Sequence, residues 1–277
     1  MIITIHDDFN LQRIIDSGQC FRPVKIPDGR YRFITGKHLL HIQELGDGRY
    51  EVDCSRWNWK HTWKPYFDLN ASYAAIRRSI PDSDTYITRA AEYSQGIRIL
   101  RQDPWEMLIT FIISQRKSIP AIRSAVEMLC EKAGTLCEEG GENFYTFPRP
   151  GELARLSEED LRECSLGYRA PYIYQTVKRV CREKIHLSQW NSLPDETLME
   201  KLLEFPGVGI KVANCTALFG FHRISRAPID VWIERVIREH YGGRNPFVLY
   251  PETAGIMQQY MFYYIRNGKK MSRTKMN

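Results

Sequence analysis

The sequence contains no Cys-x-x-Cys pair. Its seven cysteines (Cys20, Cys54, Cys130, Cys137, Cys164, Cys181 and Cys215) are odd in number and scattered. That pattern supports neither a zinc ribbon nor a disulfide framework. No apolar run approaches the roughly 18 residues that a membrane span requires, so no membrane partner is expected. The opening Met1-Ile2-Ile3-Thr4-Ile5-His6-Asp7-Asp8 lacks a basic stretch and a cleavage site; a cytoplasmic protein is expected, nucleoid-associated if the source is bacterial. Charge of one sign is not in large excess either. A net +6 is compatible with a polyanionic partner but does not demand one.

The chain does have length and an ordinary apolar content. With 277 residues, 43% of them apolar, it can bury one large or two modest cores. Residues 9 to 55 alternate as strands do. Tyr31, Phe33 and Thr35 face one way between the turns Asp28-Gly29 and Gly36-Lys37, and Leu40, Ile42 and Tyr50-Glu51-Val52 continue the pattern. Ser17-Gly18-Gln19-Cys20-Phe21-Arg22 reads as a loop entering the first strand. The aromatics and cations of residues 56 to 98 (among them Trp57, Trp63, Tyr66, Tyr73 and Arg77) could stack on nucleic acid, but such residues more often pack a helix on a sheet, and that is the reading adopted.

Helical signals take over from Asp103-Pro104-Trp105-Glu106, a cap, a first-position proline and an early glutamate. Leu108 to Ile113 is apolar all round and predicts a buried central helix. Ser114-Gln115-Arg116-Lys117 is a charged turn, and a new helix from Ser118 points Ile122, Ala125, Val126 and Leu129 inward. Residues 134–150 are expected to be a loop. Ser157-Glu158-Glu159-Asp160 caps a short helix that ends at Gly167, and a longer helix runs through Tyr172, Val177 and Val180. Ala254 to Phe262 predicts another helix with Gln258 and Phe262 on one face. The basic tail (Lys269, Lys270, Arg273, Lys275) is expected to be disordered.

The densest signal lies between Leu198 and Val236. Leu198, Met199, Leu202 and Leu203 mark a short amphipathic helix. Phe205-Pro206-Gly207-Val208-Gly209 breaks it, with Gly209 expected to permit a turn that a side chain would obstruct. A second helix starts near Ile210 and closes at Gly220. The free N–H groups of such a hairpin can cradle a phosphate, although many helical proteins use a glycine turn for nothing more than reversal. Lys211 lies in the first turn, where the helix dipole opposes a positive charge; an amine so placed is a candidate nucleophile. Cys215 shares its face one turn on. Asp230, in Ala227-Pro228-Ile229-Asp230, is placed to cap a third helix carrying Ile233 and Val236. A first-turn lysine is ordinarily a solvated residue and an N-cap aspartate ordinarily only a cap.

The combination Phe-Pro-Gly-Val-Gly-x-Lys-x-Ala followed by Pro-x-Asp resembles the helix-hairpin-helix DNA glycosylase superfamily. Ser17-Gly18-Gln19-Cys20-Phe21-Arg22 and Leu166-Gly167-Tyr168-Arg169-Ala170 are similar to segments of its 8-oxoguanine DNA glycosylase group. The resemblance implies an α+β protein, with an N-terminal antiparallel β-sheet domain (1–98) followed by a mainly helical domain (99–277) whose hairpin spans about 195–220. It implies a bifunctional glycosylase/AP lyase acting on duplex DNA that contains a damaged base, with Lys211 as nucleophile and Asp230 as its acid/base and electrostatic partner. Base recognition would fall to Gly18, Cys215, Gln258 and Phe262. DNA contacts would fall to Gln115, Arg116, Lys117, Tyr168, Arg169, Gly207 and Gly209. The group's eukaryotic members usually carry asparagine where this chain has Arg116.

The resemblance implies that no cofactor is required, allows a monovalent cation on the hairpin carbonyls, and points to a monomer. The four close cysteines that hold an iron–sulfur cluster in some relatives are missing after Tyr241. The alternative is a monofunctional alkylpurine glycosylase of the 3-methyladenine type, which shares the fold and the aspartate but lacks the hairpin lysine.

Overall fold

A computed structural model describes residues 1–274. The N-terminal part is a five-stranded antiparallel sheet in the order β1-β5-β4-β3-β2, with β1 Ile2–Thr4, β2 Val24–Lys25, β3 Tyr31–Thr35, β4 His38–Gly46 and β5 Arg49–Val52. Phe33 pairs with Leu40 and Ile42 with Val52. The alternation therefore delivers Tyr31, Phe33, Leu40, Ile42, Tyr50 and Val52 to one core, closed by Trp63, Tyr66 and Phe67. The aromatic-rich stretch thus packs inward as expected. Trp57 is the exception, exposed and stacked on His61 with ring centroids 4.5 Å apart.

Two parts of this region differ from the strand reading. Leu11–Asp16 is a helix, capped by Asn10 and burying Leu11, Ile14 and Ile15 under the sheet. Their three- and four-residue spacing was masked by the alternation that follows. Residues 134–150, expected to be a loop, contain a hairpin of β6 Leu136–Glu139 and β7 Glu142–Tyr145, turned by Gly140 and Gly141 at φ +61° and +77°. Phe144 covers Ile34 and Leu39 on the outer face of the first sheet. Glu142 pairs with Arg32 (2.6 Å) and with buried His41 (2.9 Å), while Glu139 accepts from the Leu39 amide at 2.6 Å. Partners a hundred residues away make this hairpin, so no local pattern announces it.

The second body is helical and is built around Pro104–Ser114, capped by Asp103 and buried from Pro104 to Ile113 except at Glu106. Ile119–Ala133, Ala170–Arg182, Asp195–Leu203, Ile210–Phe219, Val231–His240 and Ala254–Thr274 surround it. The last helix runs through Lys269, Lys270 and Arg273, so the tail is helical at those positions, contrary to the disorder expected there; Lys275 lies outside the described residues. The two bodies interleave around residue 98. Tyr73, Ile87, Ala90, Ala91, Ile97 and Ile99 belong to the helical core, whereas Leu100 returns to the sheet core. Among the described residues no helix is long and apolar enough to cross a membrane.

Candidate active site

The hairpin forms because Leu202 and Phe205 anchor its first helix in the core while Pro206 and Gly207 end it. The Phe205 and Val208 amides close tight turns onto Leu202 and Phe205 carbonyls at 3.2 and 3.1 Å. Gly207 is at φ +75°, and a Cβ there would lie 2.5 Å from the Tyr172 ring. The need for glycine therefore sits at Gly207. Gly209, where the sequence reading placed it, is extended (φ −93°, ψ 178°), and a Cβ on it would meet nothing within 4 Å. As N-cap it brings no side chain to the orphan N–H groups of the Ile210–Phe219 helix, which stay open to an anion.

That helix carries Lys211 and Cys215 on one face. The Lys211 Nζ stands 5.5 Å from the centre of the Phe111 ring, contributed by the central helix. Asp230 caps the next helix, its Oδ1 accepting from Trp232 and Ile233 amides at 3.1 and 3.0 Å. The long final helix adds Gln258 and Phe262. Together with Gly18 these side chains line one cleft of about 310 Å³, walled further by Phe111, Phe219, Pro228 and Gln259. Every residue expected to do chemistry or to recognise a base thus converges on one site, from four separate stretches of chain.

The electrostatics follow from the apolar walls. Burial raises the Asp230 carboxyl above the usual aspartate value, more than the Ile233 amide, Lys211, the Trp232 amide and Arg266 lower it. Burial likewise raises the Cys215 thiol, against the nearby Lys211 ammonium. Gly18 is at φ +79°, and a Cβ on it would come 3.1 Å from Phe262. Its carbonyl accepts no hydrogen bond among the described residues. The loop around it is held by Gln19, whose amide donates to Ser17 Oγ and the Arg98 carbonyl (both 2.8 Å) and accepts from the Leu100 amide. Arg22 pins the other end, pairing with Glu127 at 2.9 Å and donating to the Tyr145 carbonyl.

The residues expected to hold DNA gather beside the hairpin. Gln115 Nε2 donates to the Gly207 carbonyl at 3.0 Å, tying the 114–117 turn to the hairpin, and Lys117 donates to the Ser165 carbonyl. Arg116 is exposed at φ +49°. Tyr168 is 48% exposed, whereas Arg169, beneath its ring at 4.3 Å, is only 6% exposed and donates to the Gln115 and Leu166 carbonyls. In this structure Arg169 braces the turn instead of reaching outward.

Residues 1–108 match the family model "8-oxoguanine DNA glycosylase, N-terminal domain", and residues 109–247 match "HhH-GPD superfamily base excision DNA repair protein". The "N-glycosylase/DNA lyase OGG1" of Arabidopsis thaliana is 33% identical over 90% of this chain and 69% of its own. The chain belongs to the helix-hairpin-helix glycosylase superfamily, in its 8-oxoguanine group. The "Probable N-glycosylase/DNA lyase" of Methanothermobacter thermautotrophicus is 31% identical over 76% of this chain and 74% of its own. Among solved structures, the Clostridium acetobutylicum 8-oxoguanine glycosylase/lyase, in complex with dsDNA containing cytosine opposite to 8-oxoG, superposes with TM-score 0.88. It is 32% identical and covers 97% of this chain and 98% of its own.

Within this glycosylase group, Phe111, Phe219 and Gln259 are cleft residues that sequence reasoning did not single out. The rings of Phe111 and Phe219 stack at 5.4 Å and form the apolar floor on which Lys211 rests. Both stood inside strongly apolar helices, where one phenylalanine is indistinguishable from its neighbours. Gln259 had a signal, a second buried amide directly beside Gln258.

Proposed function

We propose that this protein is a bifunctional DNA glycosylase/AP lyase that excises 8-oxoguanine from duplex DNA. The observation that carries this reading is the meeting of Lys211 and Asp230 in one apolar cleft with Gly18, Cys215, Gln258 and Phe262. The exposed N–H groups of the hairpin and of the helix after Gly209 hold backbone phosphates. The lesion leaves the stack and enters the cleft, at a cost of a few kcal/mol. Phe262 and Cys215 bury its two faces. The bare Gly18 carbonyl accepts the N7–H that 8-oxoguanine has and guanine lacks, a contact worth about tenfold or more in selectivity.

Lys211 gives up a proton and its Nζ lone pair attacks C1′ of the sugar; the glycosidic bond breaks, and the base departs with the bonding pair and takes up a proton. Ring opening yields a Schiff base between Nζ and C1′. Loss of a proton from C2′ expels the 3′ phosphate by β-elimination, and water releases the lysine. Asp230, as carboxylate, stabilises the positive charge that develops on the sugar and relays protons. The chemistry so written uses no cofactor. A monovalent cation at the hairpin would be a second partner to its carbonyls, because those of Glu204, Phe205 and Gly207 each already accept one hydrogen bond. The protein is taken to act as a cytoplasmic monomer on damaged duplex DNA.

Two measurements test the reading. Borohydride should trap a covalent adduct with the wild type and none with Lys211→Gln, whose base release should fall by about 10³-fold or more. Matched duplexes carrying 8-oxoguanine or 7-methylguanine should show faster release of 8-oxoguanine. The opposite order would assign the cleft to alkylated purines.

A further inference from the structure

The helical segment that follows the first sheet, residues 56–66, presents a surface that the cleft does not use. Of the six tryptophans, Trp57 is the most exposed, at 63%. Its ring stacks on His61 at an inclination of 29°, and His61 Nδ1 donates to the Trp57 carbonyl at 2.9 Å. One face of the indole is thereby held and the other is left to solvent. Arg56, Lys60 and Lys64 are exposed on the same segment, and no hydrogen bond or ion pair engages their side chains. The acid beside them, Glu139, is engaged by the Leu39 amide at 2.6 Å and by Asn58 at 3.4 Å. The segment itself is firmly seated. Ser55 Oγ accepts from the Asn58 amide at 3.1 Å, and Trp63 and Tyr66 anchor it in the sheet core. In an α-helix the Pro65 ring would press on the carbonyl four residues back. The chain instead makes one wide turn, in which the Lys64 amide bonds to the Trp59 carbonyl five residues back. Four residues overshoot an α-helical turn by about 40°; the wide turn reduces that drift and brings Lys60 and Lys64 into line. Such single turns are rare and recur at functional sites.

We propose that this face binds single-stranded DNA, with a base stacked on the open face of Trp57 and the strand's phosphates on Arg56, Lys60 and Lys64. An aromatic platform set among unpaired cations suits a ligand that carries flat rings and negative charge together. A duplex covers its ring faces by stacking, so it would meet the cations and leave the indole bare. A run of carboxylates on a protein would do the same. The site stands apart from the cleft. It adds a hold on unpaired strand and takes no part in removing the base.

The test is fluorescence anisotropy of a short labelled oligothymidylate, titrated over a range of salt with the wild type, Trp57→Ala, Trp57→Phe and the double substitution Lys60→Gln, Lys64→Gln. Excision of 8-oxoguanine from a short blunt duplex is measured alongside. Trp57→Ala should weaken binding about tenfold, and Trp57→Phe, which keeps a ring, should retain most of the affinity. The double substitution should flatten the slope of log affinity against log salt by about 1.4, the release expected for two phosphate contacts on a single strand. All three variants should excise at the wild-type rate. A saturating unlabelled duplex should leave the oligonucleotide bound to the wild type. Wild-type affinity in Trp57→Ala would overturn the proposal and leave the proposed function standing. So would displacement by the duplex, which would put the strand in the cleft, and so would an equal loss of binding and excision, which would trace to folding. A polyglutamate peptide that binds more tightly than the oligonucleotide, weakened by the lysine substitutions and indifferent to Trp57→Ala, would assign the face to an acidic protein segment instead.

Discussion

At the junction of sheet and helices, Asp68 is buried and fully engaged. Its carboxylate accepts from Tyr73 Oη at 3.1 Å and faces Arg101 at 2.9 Å and His222 at 3.3 Å. Beside it Arg98, with no exposed surface, donates to the Phe67, Asp8, Asp68 and Ala71 carbonyls, pairs with Asp7 at 3.3 Å and stacks over Tyr73. Asp230, in the cleft, has two backbone amides and a cation that does not reach ion-pair distance. Burial pushes both carboxyls up. At Asp68 the His222 and Arg101 contacts outweigh it and leave the group below the usual range, whereas at Asp230 burial prevails. One region spends its charges on joining two bodies. The other keeps a carboxylate and an amine close but underpaired, so that the charge of a reacting sugar can still be felt.

The largest expected effect on this contrast comes from removing the structural cation. Arg98→Met should cost about 3–5 kcal/mol of stability, because it takes a donor from each of four carbonyls in a buried junction. Denaturant unfolding measures it, and the folded fraction should still trap DNA through Lys211. A smaller change comes from the other side. Asp230→Asn keeps an N-cap and should slow base release about 10²-fold, roughly 2.7 kcal/mol, with stability at pH 7 held or raised. A variant with wild-type release would reduce Asp230 to a helix cap.

The smallest and finest test is pH. Asp68 has a lowered folded pKa, so the stability it contributes is present above the ordinary carboxylate pKa of about 4 and is lost as pH falls through the folded value. Asp230 has a raised folded pKa, so its contribution is present below its unfolded pKa and is lost as pH rises through the folded one. Stability of Asp230→Asn relative to wild type should therefore grow with pH across that window. Base release by the wild type should instead fall as pH drops through it, with a midpoint above the usual aspartate value. An Asp230→Asn stability difference independent of pH would contradict the raised value.

Much of the site was legible because each of its signals is local. The Asp230 cap, the Lys211–Cys215 spacing and the Gly207 break are dictated by neighbours within four residues, and the structure reproduces their helices within a residue or two. The Ser17–Arg22 segment was legible as a recognition loop only through resemblance. Its physical basis, Gln19 fastened to Arg98 and Leu100, depends on residues eighty positions away.

By itself, the sequence determined the helix boundaries around the hairpin and the alternation that sends Tyr31, Phe33, Leu40 and Ile42 to one core. Those follow from side-chain period, capping and backbone sterics, all short-range. Tertiary structure alone decided the rest. It made a hairpin of residues 134–150 by giving Glu139 and Glu142 partners in the first sheet, and it turned Arg169 inward onto the Gln115 carbonyl. It also moved the need for glycine from 209 to 207, where the Tyr172 ring presses, and left the buried carbonyl of Gln259 without a donor. Each of these depends on which distant group comes to lie alongside, and burial, not sequence distance, sets what such a contact is worth.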